Sequence, residues 1–356
     1  MRLLYHGSFF PGSTALHRME ALGGQAGVEI IPHEVESDAA VDRGFLARLH
    51  SPVGWPLDRS EANARLIDAA RKTHPDVVLI DNSKTITRRT LKVLRTLSVR
   101  VLAYYSPDDI VASHNLSWPL RMTFPEWDIV FTTKSFNVVE LAARGVRRPR
   151  LMGNAFSPHD HRSFTPEQVG SDFERFDLVF VGTYERSRAA SILGLAKSGM
   201  SIVIYGNDAG VLGRWRAIRH PNVVLRPAVY AEDYSRCLHH GRVALCFLRK
   251  SNRDRVTTRS IEIPAASRPM LAEKTAEHDS HFIDGIEYVG FISDDALVAS
   301  ARTLLADPGR RLALANAGHA RCVNSGYDND HRASEMIAEI ERVLKSQQVP
   351  KGRSER

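Results

Sequence analysis

Two acidic residues, Asp254 and Glu262, lie eight positions apart, the first in a polar loop and the second at the start of an apolar helical segment. Carboxylates accept hydrogen bonds from sugar and ribose hydroxyls, whereas hydroxyl groups, backbone N–H groups and arginine bind phosphate. The first N–H groups of a helix also favour an anion, because they have no partner within the helix. The residues between the two acids supply such phosphate-binding groups: Thr257, Thr258, Arg259 and Ser260.

The same segment also has a purely structural interpretation. Asp254 and Arg255 can be solvated loop charges. Thr258 or Ser260 can cap the helix, and Glu262 can stabilise its first turn through the helix dipole. Spacing alone leaves both interpretations open.

A second candidate is the strand-to-helix turn within residues 178–188, LVFVGTYERSR. Gly182 ends the apolar run and lets a ligand approach the backbone, while Arg186 or Arg188 can neutralise a diphosphate. The alternative is an ordinary turn that ends a strand, followed by a solvated helix face.

Two further sets of residues lie in the first half of the chain. The loop at residues 6–14 joins the first strand to the first helix, but it lacks the G-x-G-x-x-G pattern, which excludes a nicotinamide cofactor; Ser13 can cap the helix instead. Asp108 and Asp109 follow an apolar strand, where a carboxylate can orient an acceptor hydroxyl or remove its proton. Two acidic residues after Pro107 are also common in turns.

Short strand-like runs alternate with helical patterns along the chain, which predicts parallel sheets covered by helices. Residues 147–170 have the composition of a connection, so we place a domain boundary near residue 166. The predicted organisation is an N-terminal Rossmann-like domain (1–165), a second one (166–327), a C-terminal helix that packs back on the first (328–346) and a disordered tail (347–356).

Composition limits the function classes. At 356 residues, with 43% hydrophobic and 25% charged residues and no long apolar run, the chain predicts two globular domains and no membrane span. The three cysteines do not form a disulfide framework, and the scattered histidines do not have the spacing of metal ligands. Asp328-Asn329-Asp330 has the D-x-D spacing of a metal motif, but it precedes the last helix and fits a helix cap. The net charge of +7 is compatible with nucleic acid, an anionic membrane or a phosphorylated ligand, but no nucleic-acid-binding motif and no strongly amphipathic basic helix stands out.

Residues 233–326 resemble the C-terminal domain of group 1, family 4-like glycosyltransferases, particularly the CgeB-type branch. The resemblance extends more loosely over most of residues 1–345. The segments that carry it are 243–248 (VALCFL), 254–262 (DRVTTRSIE), 269–271 (PML), 306–308 (ADP), 105–109 (YSPDD), 131–134 (FTTK) and 151–155 (LMGNA).

The resemblance implies an α/β protein of the GT-B type, with two doubly wound domains facing a central cleft. It implies that Glu262 binds the nucleotide ribose and Asp254 the donor sugar, although Asp254 stands where most of these families have Glu. It also places Gly7 and Gly12 in a cleft loop. The expected activity is transfer of a hexosyl-type sugar from a nucleoside diphosphate sugar to an acceptor hydroxyl in polysaccharide or glycoconjugate biosynthesis, with retention of configuration and without metal or other cofactor.

The expected location is the cytoplasm, with contact to the anionic inner face of the membrane as an option and no nucleic-acid partner. The acceptor can be a glycan, a lipid-linked sugar, a protein or a small molecule. Two alternatives stay open: a nucleotide-sugar 2-epimerase, and a sugar-nucleotide-binding protein without turnover. The sequence does not specify the donor sugar, the base or the oligomeric state.

Overall fold

The computed structural model describes residues 1–35, 56, 58, 60–206 and 215–348. The chain divides into two compact units. The first unit comprises Met1–Gly153 together with the segment from Asn329 onward, and the second comprises Asn154–Asp328.

The first unit contains a six-stranded sheet in which every neighbouring pair is parallel. The strand order is β2-β1-β3-β4-β5-β6, so the chain moves to one side of β1 and then continues on the other side. The point of reversal, between β1 and β3, is where ligands of such sheets usually bind. The strands are β1 (Arg2–Gly7), β2 (Glu29–Glu34), β3 (Val77–Asp81), β4 (Val101–Ser106), β5 (Ile129–Thr132) and β6 (Pro149–Leu151).

Helices cover both faces of this sheet, as the almost continuous apolar character of β3 and β4 requires. Leu66, Leu91, Leu120 and Leu141 of α2–α5 pack on one face. Helices α1 and α13 pack on the other face and against each other. The helices of this unit are α1 (Thr14–Gly23), α2 (Ala62–Thr73), α3 (Arg88–Thr96), α4 (Trp118–Thr123), α5 (Ser135–Ala142) and α13 (Asn329–Gln348).

The second unit repeats the architecture with a parallel sheet in the order β12-β11-β10-β7-β8-β9. Its chain reverses direction between β7 and β10. The strands are β7 (Phe176–Val181), β8 (Ile202–Tyr205), β9 (Val223–Arg226), β10 (Gly241–Cys246), β11 (Met270–Glu273) and β12 (Val289–Phe291). The helices are α6 (Pro166–Val169), α7 (Arg186–Lys197), α8 (Ala231–Leu238), α9 (Arg259–Ala265), α10 (Ala276–His281), α11 (Asp294–Ala306) and α12 (Pro308–Asn324).

The segment interpreted as a connection is an ordered part of both units. β6 completes the first sheet, and Phe156 and Phe164 are buried in the second unit. The second unit therefore begins at Asn154, before the predicted boundary near residue 166. Composition was misleading here, because a few buried aromatic residues anchor an otherwise polar stretch.

The C-terminal helix α13 belongs to the first unit, where it packs against α1 and β4. Arg332 in its first turn lies against Gly153; a Cβ added at Gly153 would lie 2.7 Å from the guanidinium. The helix continues to Gln348, into the predicted tail of residues 347–356. Residues 349–356 of that tail lie outside the described residues.

Candidate functional site

The second unit has a cavity at the point where its sheet reverses direction. β7 and β10 are parallel neighbours, with Val179 paired to Ala244, so the loops that follow them emerge side by side. These loops enclose a cavity of about 710 Å³. Its lining residues are Thr183, Tyr184, Glu185, Arg186, Ser187, Arg249, Lys250 and Ser251.

The cavity lining carries more positive than negative charge. Arg186, Arg249 and Lys250 face a single lining carboxylate, that of Glu185. Lys250 forms an ion pair with Glu273, and Arg249 Nε donates to Ser251 Oγ at 3.2 Å. A surplus of cations in a concave site attracts an anionic ligand.

Glu185 joins the two loops to each other. Its Oε2 accepts a hydrogen bond from the Lys250 backbone N–H at 3.3 Å, and its Oε1 accepts one from Ser251 Oγ at 3.0 Å. Helix α7 begins at the next residue, and Glu185 makes no side-chain hydrogen bond to the helix as its N-cap. The first N–H groups of α7 are therefore not capped by this side chain.

Arg188 is a buried cation next to this cavity. Its Nη1 donates to the Thr183 carbonyl at 3.1 Å and its Nη2 to the Phe247 carbonyl at 3.3 Å, so it joins the ends of β7 and β10. Its Nε is buried without a hydrogen bond and lies 3.5 Å from a Glu185 oxygen. Burial lowers the pKa of the Arg188 guanidinium, which means that its charge is incompletely compensated; a bound anion would stabilise it.

Gly182 lies at the end of β7, where its N–H donates to the Tyr205 carbonyl at 2.9 Å. A Cβ added there would lie 2.9 Å from the Phe180 ring. A larger residue at position 182 would therefore displace the Phe180 ring, whether or not a ligand approaches the backbone.

Asp254 accepts hydrogen bonds from other residues of the loop that follows β10. Its Oδ2 accepts from the Arg249 backbone N–H at 3.2 Å, and its Oδ1 accepts from Asn252 Nδ2 at 2.8 Å. Arg253, with φ of +47°, makes the turn. Asp254 thus shapes the loop that carries Arg249 and Lys250, and its side chain stays partly exposed.

Glu262 lies in the first turn of α9 and is only 3% exposed. Its Oε2 is 3.3 Å from Arg259 Nη1, and its Oε1 is 3.5 Å from His161 Nε2. His161 Nδ1 accepts the Ser157 backbone N–H at 2.8 Å, so the proton of the neutral imidazole is on Nε2, which faces Glu262. A carboxylate has about four acceptor positions, which leaves some of them for a ligand hydroxyl.

The hydroxyl residues between the two acids differ in their contacts. Ser260 is fully buried, 2.6 Å from His278 Nε2, and accepts the Thr257 backbone N–H at 3.2 Å. His278 Nδ1 lies 2.8 Å from the Glu273 carbonyl, so Ser260 connects α9 to α10. Thr258 precedes the helix without a side-chain capping bond, and Thr257, Thr258 and Arg259 remain partly exposed.

The first-unit candidates lie at the corresponding edge of their own sheet. Gly7 ends β1, and a Cβ there would lie 3.4 Å from Asp81 Cβ at the end of β3. Gly12 has a φ of +76°, and Ser13 caps α1 by accepting the Leu16 N–H at 3.2 Å. The positive φ gives position 12 a conformational reason to be glycine, whereas the space at position 7 is limited only by neighbouring side chains.

The two adjacent carboxylates have different surroundings. Asp109 is fully buried, and its Oδ1 accepts from Asn137 Nδ2 at 3.0 Å and from the Val111 N–H at 3.3 Å. Asp108 is partly exposed, and its carbonyl accepts from Ser106 Oγ. Asp109 therefore holds the loop, and Asp108 is the more accessible carboxylate.

Residues 187–338 match a family model described as glycosyl transferase-like. No curated protein sequence matches the chain significantly. Among solved structures, sucrose-phosphate synthase from Thermosynechococcus elongatus aligns with a TM-score of 0.70 and 14% identity, over 97% of this chain and 100% of that one. HepE from Anabaena, in complex with UDP and glucose, aligns with a TM-score of 0.67 and 11% identity, over 96% and 100%.

The chain has the GT-B fold. A further neighbour is the UDP-GlcNAc 2-epimerase from Neisseria meningitidis, bound to UDP-GlcNAc, with a TM-score of 0.58 and 13% identity over 96% of this chain and 100% of that one. At these sequence identities the structural similarity establishes the fold of two Rossmann-like units. The activity has to be argued from the residues of the site.

Within this GT-B chain, the structure brings Arg186, Arg188, Gly182 and the loop of Asp254 together, and sequence reasoning missed several of their neighbours. Arg249 and Lys250 lie between segments 243–248 and 254–262, and their exposure to the cavity depends on the turn at Arg253. The sequence alone gives no reason to select Glu185. His161 lies in the stretch taken for a connection. Among the described residues, no group of His, Cys, Asp and Glu has the arrangement of a metal site.

Proposed function

We propose that the protein is a glycosyltransferase that uses a nucleoside diphosphate sugar bound by its second unit. The observation that carries the proposal is the cation-rich cavity at the β7/β10 reversal point, part of whose lining (residues 187 and 249–251) lies in the glycosyl transferase-like stretch 187–338. Ligands of doubly wound sheets bind at this edge, and a diphosphate matches the charge.

Each group has a role in this proposal. Arg186, Arg188 and the N-terminus of α7 bind the diphosphate, with Arg249 and Lys250 from the facing loop. Glu262 accepts hydrogen bonds from the ribose, and Asp254 positions the loop beside the sugar. Thr257, Thr258 and Arg259 supply further polar groups. Because arginines and a helix N-terminus take the charge of the leaving diphosphate, the proposed reaction is independent of metal.

The sequence offers two catalytic candidates in the first unit, Asp108 and Asp109, and the proposal keeps one of them. We assign the role toward an acceptor hydroxyl to Asp108, because Asp108 is partly exposed whereas Asp109 is fully buried and accepts from Asn137 and Val111. Retention of configuration, which needs no dedicated base, is part of the proposal. So are the CgeB-type branch, a hexosyl donor and a role in polysaccharide or glycoconjugate synthesis, all supported by segments such as 243–248 and 254–262.

The test is calorimetric titration with UDP, GDP, dTDP and ADP, with and without a divalent metal. We expect UDP to bind best, because two neighbours of this fold were solved with UDP or a UDP-sugar. Glu262→Gln preserves the shape of the buried side chain and removes its charge, and we expect UDP binding to weaken about tenfold. Lys197→Gln, at the exposed far end of α7, is the matched control. Absence of binding by every nucleotide would contradict the donor site.

The epimerase neighbour makes a 2-epimerase the second candidate. That reaction needs acid and base groups around the sugar, whereas Glu185 is the single carboxylate among the cavity-lining residues, which include no histidine. Incubation of the protein with UDP-GlcNAc alone, followed by NMR, separates the candidates: a new UDP-sugar indicates epimerisation. UDP binding without transfer to any acceptor in a broad screen would indicate a binding protein.

A further inference from the structure

The outer surface of α3 and α4 in the first unit has an unusual composition. Thr90, Leu91 and Leu94 point into the core, whereas Arg89 and Lys92 are exposed. No strongly amphipathic basic helix stands out in the sequence, but α3 has a buried apolar side and exposed basic residues. Nine residues are too few for a periodic pattern to stand out without the neighbouring helix.

Helix α4 packs against α3 and exposes apolar side chains of its own. Trp118 is 50% exposed and Met122 is 40% exposed, although Leu120 between them is buried. The Arg121 guanidinium carbon lies 6.0 Å from the centre of the Trp118 ring. An exposed Trp and Met beside cations is costly for a surface that faces only water.

Most of the positive charge on this surface is uncompensated. Arg88 pairs with Glu126 at 2.6 Å. Arg89, Lys92 and Arg121 form no ion pair within the ranges that the structure describes. The patch consisting of Arg89, Lys92, Trp118, Arg121 and Met122 therefore combines three unneutralised cations with two apolar groups.

We propose that this patch docks the protein on a membrane surface rich in anionic lipid. Lysine and arginine are attracted to the negative headgroups, while Trp and Met bury their apolar parts at the level of the headgroups. No helix in the described part of the chain is both long and apolar enough to cross a bilayer, so the contact is peripheral. The proposal is independent of the donor site in the other unit.

The experiment is flotation of the full chain with vesicles of phosphatidylcholine alone and with about one-third phosphatidylglycerol. We expect binding to the anionic vesicles at low salt and its loss at high salt. Arg89→Gln with Lys92→Gln should reduce the partition coefficient roughly fivefold for each residue changed. The matched control is Lys197→Gln with Arg302→Gln, which removes the same charge from exposed positions of the second unit.

Tryptophan fluorescence reports the apolar part of the contact. Trp127 and Trp215 are buried, so a blue shift on adding anionic vesicles that disappears in Trp118→Phe would locate Trp118 at the lipid. Three outcomes overturn the proposal: no binding to anionic vesicles, equal loss in the patch variant and the control, or no dependence of the shift on Trp118. Patch-dependent binding of single-stranded RNA without vesicle binding would instead assign the surface to nucleic acid.

Discussion

Arg188 has both a structural role and a proposed role in binding the diphosphate. It holds two backbone carbonyls and has an incompletely compensated charge. We expect Arg188→Lys to weaken UDP binding by about 2 kcal/mol, because a single ammonium group replaces a fork that bonds both carbonyls and lies next to the proposed diphosphate site. Calorimetry with UDP and UMP checks this. UDP should lose clearly more affinity than UMP, and an equal loss would show that Arg188 serves only the fold.

His161 gives a second prediction at the residue scale. Its Nε2 proton faces Oε1 of Glu262, whereas Arg259 approaches Oε2. His161→Phe keeps an aromatic ring against Tyr234 but removes this donor, so we expect a loss of about 1 kcal/mol in UDP affinity. The loss should be absent for UDP that lacks both ribose hydroxyls. His161→Gln, which retains a donor, is the control; a similar loss for both nucleotides would contradict a role through Glu262.

At the scale of elements, two glycines of the second unit distinguish a steric clash between strands from the low helix propensity of glycine. A Cβ at Gly241 in β10 would lie 2.6 Å from the backbone nitrogen of Val179 in β7, whereas one at Gly194 within α7 meets nothing within 4 Å. Gly241→Ala should therefore destabilise the protein by about 2 kcal/mol, and Gly194→Ala should stabilise it by roughly 1 kcal/mol. Urea denaturation measures both. Equal effects would mean that the contact between β7 and β10 is looser than the structure shows.

The elements that the sequence predicted are those with a continuous apolar run or a long helical pattern. The runs 77–80, 101–105 and 129–132 gave β3, β4 and β5, because buried parallel strands are almost wholly apolar. β6 and β12 were not predicted, since three residues at a sheet edge carry no period. The six-residue helices α4 and α10 were missed for the same reason.

The residues of the candidate site also divide into those found from a local pattern and those brought together by tertiary contacts. Gly182, Arg186 and Arg188 were selected because a strand, a turn and a helix are readable in sequence order. Arg249 and Lys250 were not selected, because only the pairing of β7 with β10 brings their loop beside that turn. The order of strands in the sheet decides which loops lie side by side, and a single sequence does not reveal that order.

At the scale of the whole molecule, buried histidines make stability depend on pH. Burial lowers the pKa of His6 to about 3 and the pKa values of His239 and His278 to about 4, from an ordinary value of 6.5. Between pH 6.5 and 4 the unfolded chain binds protons at these positions and the folded chain does not. Stability is therefore complete above pH 6.5 and falls with decreasing pH, by up to about 1.4 kcal/mol per pH unit for each histidine.

Urea denaturation at intervals from pH 8 to pH 4.5 tests this dependence, and one variant isolates a single histidine. His278→Gln retains an acceptor for Ser260 but cannot bind a proton, so the slope below pH 6.5 should decrease by the contribution of one site. His281→Gln, on the same helix and partly exposed, is the matched control for the substitution itself. A wild-type stability that stays constant from pH 7 to pH 5 would contradict the burial of neutral histidines, because neutral imidazole persists below pH 6.5 only where burial opposes its charged form.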